Sequence, residues 1–201
     1  MKIDRFHMER TQCLYENEVR FNLSESGVSP LTISELIPDK DGREELERLP
    51  LGYPHSTGRK SLRKNIARLY GCNDYECVTV MNGGSEANYA SIWGIVGPAD
   101  RVAFMVPNYL QGWGVARAYG RQTDAYKLVM KRNAKGEWRW SLDVGSLRKA
   151  VKKNTKLIVV TNPNNPTGYV LSEEEMQIIV AEARRVGAWI LSDEIYRGAE
   201  V

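Results

Sequence analysis

Two polar clusters, each closing an apolar run, constrain this chain more than any bulk property. Leu157-Ile-Val-Val160 leads into Thr161-Asn-Pro-Asn-Asn-Pro-Thr-Gly168, and Ala188-Trp-Ile-Leu191 leads into Ser192-Asp-Glu-Ile-Tyr196. Between them, Ser172-Glu-Glu-Glu175 has the form of a capping box, Met176, Ile179, Val180 and Ala183 recur on one side, and Gly187 is a stop. The pattern predicts a strand–loop–helix–strand unit. Such units build an open α/β sheet, in which ligands bind outside the carboxyl ends of the strands. Asn165, Asp193 and Tyr196 are therefore expected to point into one crevice.

These three residues form a matched set of hydrogen-bonding groups. An Asn amide donates, a Tyr hydroxyl donates to a phenolate oxygen, and a carboxylate beside a pyridine nitrogen favours its protonated form. Upstream, the β-rich run Cys77-Val-Thr-Val-Met81 opens into Asn82-Gly-Gly-Ser-Glu-Ala-Asn88 and a helical pattern that stops at Gly97-Pro98. A strand, a glycine pair and a helix start offer backbone N–H groups and the positive end of the helix dipole to an anion. Gly83, Gly84 and Ser85 suit a phosphate; the plainer alternative is a turn with Ser85 as a cap. The spacing is not GxGxxG, which disfavours a dinucleotide and a nicotinamide oxidoreductase. A second strand, Arg101-Val-Ala-Phe-Met-Val106, runs into Pro107-Asn-Tyr109, where an aromatic ring can stack on a flat ligand; Trp113, one turn on, is expected to pack.

Asn-Pro-Thr-Gly followed by Ser-Asp-Glu-Ile-Tyr resembles the fold-type I pyridoxal-phosphate (PLP) enzymes, most closely the class I/II aminotransferases. The stretch Tyr53-Pro-x-x-x-Gly-x-x-x-Leu-Arg-x-x-Ile-Ala67 is similar to the same family. The resemblance covers nearly all of residues 21–199. It implies PLP as cofactor, its phosphate on Gly83, Gly84 and Ser85, and its ring beneath Tyr109. Asn165 and Tyr196 would contact the ring oxygen and Asp193 the ring nitrogen, with Asp193 and Tyr196 as the catalytic pair. Tyr53 would reach the phosphate of a neighbouring subunit, implying a homodimer, and Gly27 would lie near the substrate carboxylate, with a plain turn as the equal alternative reading of its residues. The implied reaction is transamination of a small amino acid and 2-oxo acid pair. The alternatives are a lyase, decarboxylase or amino-acid cyclase of the same fold, or a non-catalytic cofactor-binding fragment. The family's Schiff-base lysine is expected some tens of residues beyond the Asp-x-x-Tyr segment, and no residue up to Val201 matches it; Ser146-Leu-Arg-Lys149 has the letters but precedes Asp193. The expectation is a truncated, three-layer α/β/α open, mainly parallel sheet (a PLP-transferase large domain), inactive alone. Residues 1–50 are expected to form an N-terminal arm and substrate-loop segment, and residues 51–201 a partial PLP-binding large domain.

Composition narrows the classes further. At 201 residues, 42% hydrophobic, the chain can bury a core, and no apolar run approaches the roughly 18 residues of a membrane span. The start carries no apolar signal-peptide segment. Net charge is +3, and acidic residues balance the basic clusters, so neither nucleic acid nor a membrane surface is an expected partner. Cys13, Cys72 and Cys77 form no CxxC pair; reduced thiols, a cytoplasmic location and no metal are expected. His55, a lone loop histidine beside Pro54, is read as structural or solvated rather than catalytic. Helices are expected in parts of residues 32–50, over 61–70 with Gly71 as cap, and over 141–153. A strand is expected over 123–130, followed by a hairpin turning at Lys135-Gly136.

Overall fold

A computed structural model describes residues 2–200. Its residues group into two compact units, His7–Met81 and residues 2–6 together with residues 82–200. The boundary expected near residue 50 falls inside the first of them.

The second unit carries the sheet. In chain order its elements are α5 (Gly84–Ile95), β1 (Arg101–Val106), α6 (Gln111–Tyr119), β2 (Gln122–Arg132), β3 (Trp138–Leu142), α7 (Val144–Ala150), β4 (Thr155–Thr161), α8 (Glu173–Val186) and β5 (Trp189–Asp193). The sheet order is β3-β2-β1-β4-β5. The pairs β1–β2, β1–β4 and β4–β5 are parallel, and β2–β3 is an antiparallel hairpin. The hairpin turns at Gly136, whose φ of 79° suits glycine. Helix α7 is shorter than expected, because Ser141 and Leu142 stay in the β3 ladder.

Side-chain alternation explains the three layers. On β1 and β4, Val102, Phe104, Leu157 and Val159 face one way, against Ile92 and Val96 of the α5 region and Val115 and Ala116 of α6. Ala103, Met105, Ile158 and Val160 face the other way, against Leu147 and Ala150 of α7 and Ile179 and Ala183 of α8. A strand covered on both faces must be apolar at every position, hence the unbroken apolar runs in the sequence. Fully buried Tyr126 reaches across the sheet from β2, and its hydroxyl donates to the Val159 carbonyl at 2.8 Å. At the opposite rim from the polar clusters, Arg101 makes a two-pronged ion pair with Asp124 at 2.6–2.9 Å.

Helix ends follow the local chemistry. The Ser172–Glu175 capping box starts α8, and Gly187 ends it in the left-handed conformation at φ 71°. Glu175 does more than cap: Oε1 accepts from Leu142 N–H at 2.7 Å, and Oε2 from Tyr169 Oη–H at 2.6 Å.

The first unit contains α1 (His7–Tyr15), α2 (Ile33–Leu36), α3 (Lys40–Glu47), α4 (Lys60–Leu69) and a 3-10 turn at Tyr75–Cys77. Helices α1 to α3 bury no residue, whereas α4 buries Arg63 and Ala67. Arg63 bonds to the Val78 carbonyl at 2.7 Å and to Glu76 at 3.0 Å; this bonding holds the Glu76 carboxyl below its ordinary value. Gly71 takes the expected left-handed conformation beyond α4. The expected strand over Cys77–Met81 is a correction: Cys77 closes the 3-10 turn, and residues 78–81 join no ladder. A β-rich sequence becomes a strand only with a partner to share its hydrogen bonds, and here Val80 N–H turns to the Thr57 carbonyl instead.

Candidate functional site

The chain leaves β1 for β2 on one side and returns to β4 on the other. The β1–β4 boundary is thus a switch point, where an open sheet forms a crevice at the carboxyl ends of its strands. Asn108 closes the floor of this crevice: its Oδ1 accepts from Thr161 Oγ1 at 2.9 Å and from Tyr109 N–H at 2.7 Å. A backbone N–H can only donate, so the Asn108 amide is fixed with its Nδ2 the other way. That Nδ2 is buried with no hydrogen-bond partner among the described residues, as is Gln111 Oε1. Asn164 stitches the next loop in place, with Nδ2 donating to the Pro107 carbonyl at 3.2 Å and Oδ1 accepting from Thr167 Oγ1 at 2.7 Å.

Helix α5 enters the same rim. Gly83 precedes it at φ 92° and ψ 167°, a backbone conformation open to glycine. The first turn of a helix leaves N–H groups without helical partners, so the Gly84 and Ser85 amides are free of the intrahelical ladder. Gln111 Nε2 donates to the Ser85 carbonyl at 3.1 Å, tying the turn after Tyr109 to this helix start. Ile195 lies against Gly84: a β-carbon there would stand 3.2 Å from Ile195 Cδ1. Asn88, one turn into α5, donates from Nδ2 to Asp193 Oδ2 at 2.9 Å. Asp193 Oδ1 accepts from Ile195 N–H at 3.1 Å. The glycine pair and the Asp193 carboxylate thus share one rim of the sheet.

Of the residues singled out from sequence, Gly83, Gly84, Ser85, Tyr109, Asn165, Asp193 and Tyr196 all belong to this unit. Asn165 Nδ2 lies 3.4 Å from Tyr196 Oη, joining the two loops. The Tyr109 ring is held edge-on by Phe6, with centroids 4.9 Å apart at 78°. Trp113 packs edge-on against Phe104, as expected for a core aromatic. Tyr169, just after the Asn-Pro-Thr-Gly loop, has its phenol pushed up by burial and then by its bond to Glu175, and so stays a neutral donor.

Gly27 and Tyr53 belong to the other unit. Gly27 N–H is taken by Glu25 Oε1 at 2.7 Å, and the Tyr53 ring is wholly exposed. The His55 carbonyl accepts from Gly58 N–H, and its side chain is exposed. Among the described residues no cluster of three His, Cys, Asp or Glu could hold a metal ion, and no helix is long and apolar enough to cross a membrane.

Three contributors escaped the sequence reading: Asn88, Asn108 and Phe6. Asn88 had a signal. It follows Gly84 by four residues and so shares the helix face of the anion-binding start. The assembled groups fit a phosphorylated pyridine. They comprise free amides and a hydroxyl at a helix start, a carboxylate held by uncharged donors, an amide and a phenol on two neighbouring loops, and a pinned aromatic ring.

Known proteins give the same outline. The family model for "Aminotransferase class I and II" matches residues 30–200. Mouse tyrosine aminotransferase is 29% identical over 149 residues, covering 72% of this chain and 32% of its own length. The glutamate-pyruvate aminotransferase AlaA of Haemophilus influenzae is 32% identical over 166 residues, 79% of this chain and 40% of its own length. A PLP-dependent aminotransferase from Streptococcus suis superimposes with a TM-score of 0.83 at 29% identity, over 96% of this chain and 52% of that one. The chain therefore spans from about a third to about half the length of these relatives. Sequence and fold agree that it belongs to the class I and II aminotransferase family.

Proposed function

We propose that this chain supplies the cofactor-holding part of a PLP-dependent aminotransferase that exchanges an amino group between an α-amino acid and a 2-oxo acid. One observation carries the reading: the Asp193 carboxylate and the Gly83–Gly84 pair lie on the same strand-end rim, bridged by Asn88 and Ile195. The relatives above are named as aminotransferases, which favours transamination over lyase, decarboxylase or cyclase chemistry on the same cofactor. PLP, when bound, supplies an electron sink for charge developing at the substrate α-carbon.

The residues divide the work by chemistry. The Gly84 and Ser85 amides and the Ser85 hydroxyl bind the phosphate dianion, aided by the helix dipole. Asp193 holds a proton on the ring nitrogen, which keeps the ring positively charged where negative charge will accumulate. Tyr196 and Asn165 donate to the ring oxygen, and their mutual contact keeps both donors on one side. Tyr109 covers a ring face and excludes water, with Phe6 fixing its plane. We assign the exposed Tyr53 to the phosphate site of a second copy, making the working form a homodimer, and Gly27 to the substrate carboxylate.

The experiment is a titration of the purified protein with PLP, followed by induced circular dichroism in the cofactor band. Amino acids are then added, and the bound cofactor is restored with α-ketoglutarate or pyruvate. This chain alone should give the induced signal, and the complete enzyme, which adds the Schiff-base lysine, should convert to the pyridoxamine form and back with release of 2-oxo acid. Absence of any induced signal at saturating PLP would end this reading.

A further inference from the structure

We propose that Asn88 is a positioning residue that aims the Asp193 carboxylate at the cofactor's ring nitrogen; this rests on the PLP reading of the site. Asp193 is the last residue of β5, so its backbone is set by the sheet: its carbonyl accepts from Asn162 N–H at 2.9 Å. The side chain still has two rotatable bonds, and two donors fix them. Ile195 N–H takes Oδ1 at 3.1 Å, a local bond two residues along. Asn88 Nδ2 takes Oδ2 at 2.9 Å, across 105 residues of sequence. The local bond alone leaves the carboxylate free to swing about Oδ1. The second donor, on a different element, sets the plane.

Both donors are uncharged. A carboxylate accepts at about four lone-pair positions, and these bonds occupy one on each oxygen. The remaining positions keep their charge for a ring N–H, whereas a cation in place of Asn88 would compete for it. Asn88 also sits one turn from Gly84, a rise of about 6 Å along the axis. That span is comparable with the separation of phosphorus and ring nitrogen in PLP. A single rigid helix therefore sets both the phosphate site and the aim of the carboxylate.

The test compares PLP with 1-deaza-PLP, which has carbon in place of the ring nitrogen, in equilibrium binding to the purified protein and to Asn88→Ala and Asn88→Asp. The wild type is expected to prefer PLP by at least about tenfold, the share of one charge-assisted hydrogen bond. Asn88→Ala is expected to cut that preference by about fivefold or more while binding 1-deaza-PLP as before. Asn88→Asp keeps the shape, replaces the donor by a second carboxylate, and is expected to lose the preference too. A merely structural role would weaken both ligands together and leave their ratio intact. Unchanged ratios in both variants overturn the role of Asn88 alone. A wild type that binds both ligands equally overturns the Asp193 assignment with it, and a wild type that binds neither overturns the PLP reading as a whole.

Discussion

Gly83 and Tyr126 show how single residues carry conformation and charge. A β-carbon on Gly83 would meet nothing within 4 Å, so space is not what the glycine provides. Its φ of 92° with ψ 167° is a region that side chains exclude. Gly83→Ala should therefore cost about 1–3 kcal/mol by urea denaturation, with no steric clash, and weaken phosphate binding by turning the α5 amides away. Tyr126→Phe removes one hydrogen bond and should cost about 1 kcal/mol at neutral pH. Its pH signature is separate. Burial pushes the Tyr126 phenol up from 10.0, so the unfolded chain loses this proton first. The resulting stability is complete below the ordinary value and declines as pH rises through and beyond it. Denaturation midpoints measured either side of pH 10.0 should fall less in Tyr126→Phe than in the wild type. In the complete enzyme of the proposed function, Asp193→Ala should cut transamination far more than PLP retention, as parallel turnover and binding assays would register. Near-normal turnover would remove Asp193 from its role.

Among the elements, α8 has the clearest local encoding. Its capping box and its terminal Gly187 stand in the sequence within a few residues of the ends they set, and both stand in the structure. Ser172→Ala should cost about 1 kcal/mol, the usual worth of such a cap. Glu175→Ala should cost about 2–3 kcal/mol, because it also strips the acceptor from Leu142 N–H on β3 and from Tyr169. The difference between the two variants, read from chemical denaturation, measures the tertiary share of that side chain. The segment 78–81 teaches the converse. Its composition is that of a strand, but a strand is a relation between two segments, and propensity names only one of them.

Across the molecule, burial ranks the strands. Four of the six residues of β1 are buried, and so are six of the seven of β4, while β5 lies at an edge with Trp189 exposed. Amide hydrogen exchange should be slowest in β1 and β4 and faster in β5. It should be fastest in α1, α2 and α3, which bury nothing. Equal protection across these elements would contradict that ranking.

The unbroken apolar runs, the helix caps, the glycine pair and the polar strand ends are all local. Each is set by residues a few positions apart, so the sequence alone determined an α/β sheet with hydrogen-bonding groups at its carboxyl rim. Which side chains meet there is not local. The bond of Asn88 to Asp193, the packing of Phe6 on Tyr109 and the tie of Asn108 to Thr161 depend on strand order and on the helices laid over it. Those partners lie on different elements, far apart in sequence, and no periodicity within one segment identifies its neighbour. Only the closed tertiary structure decided them.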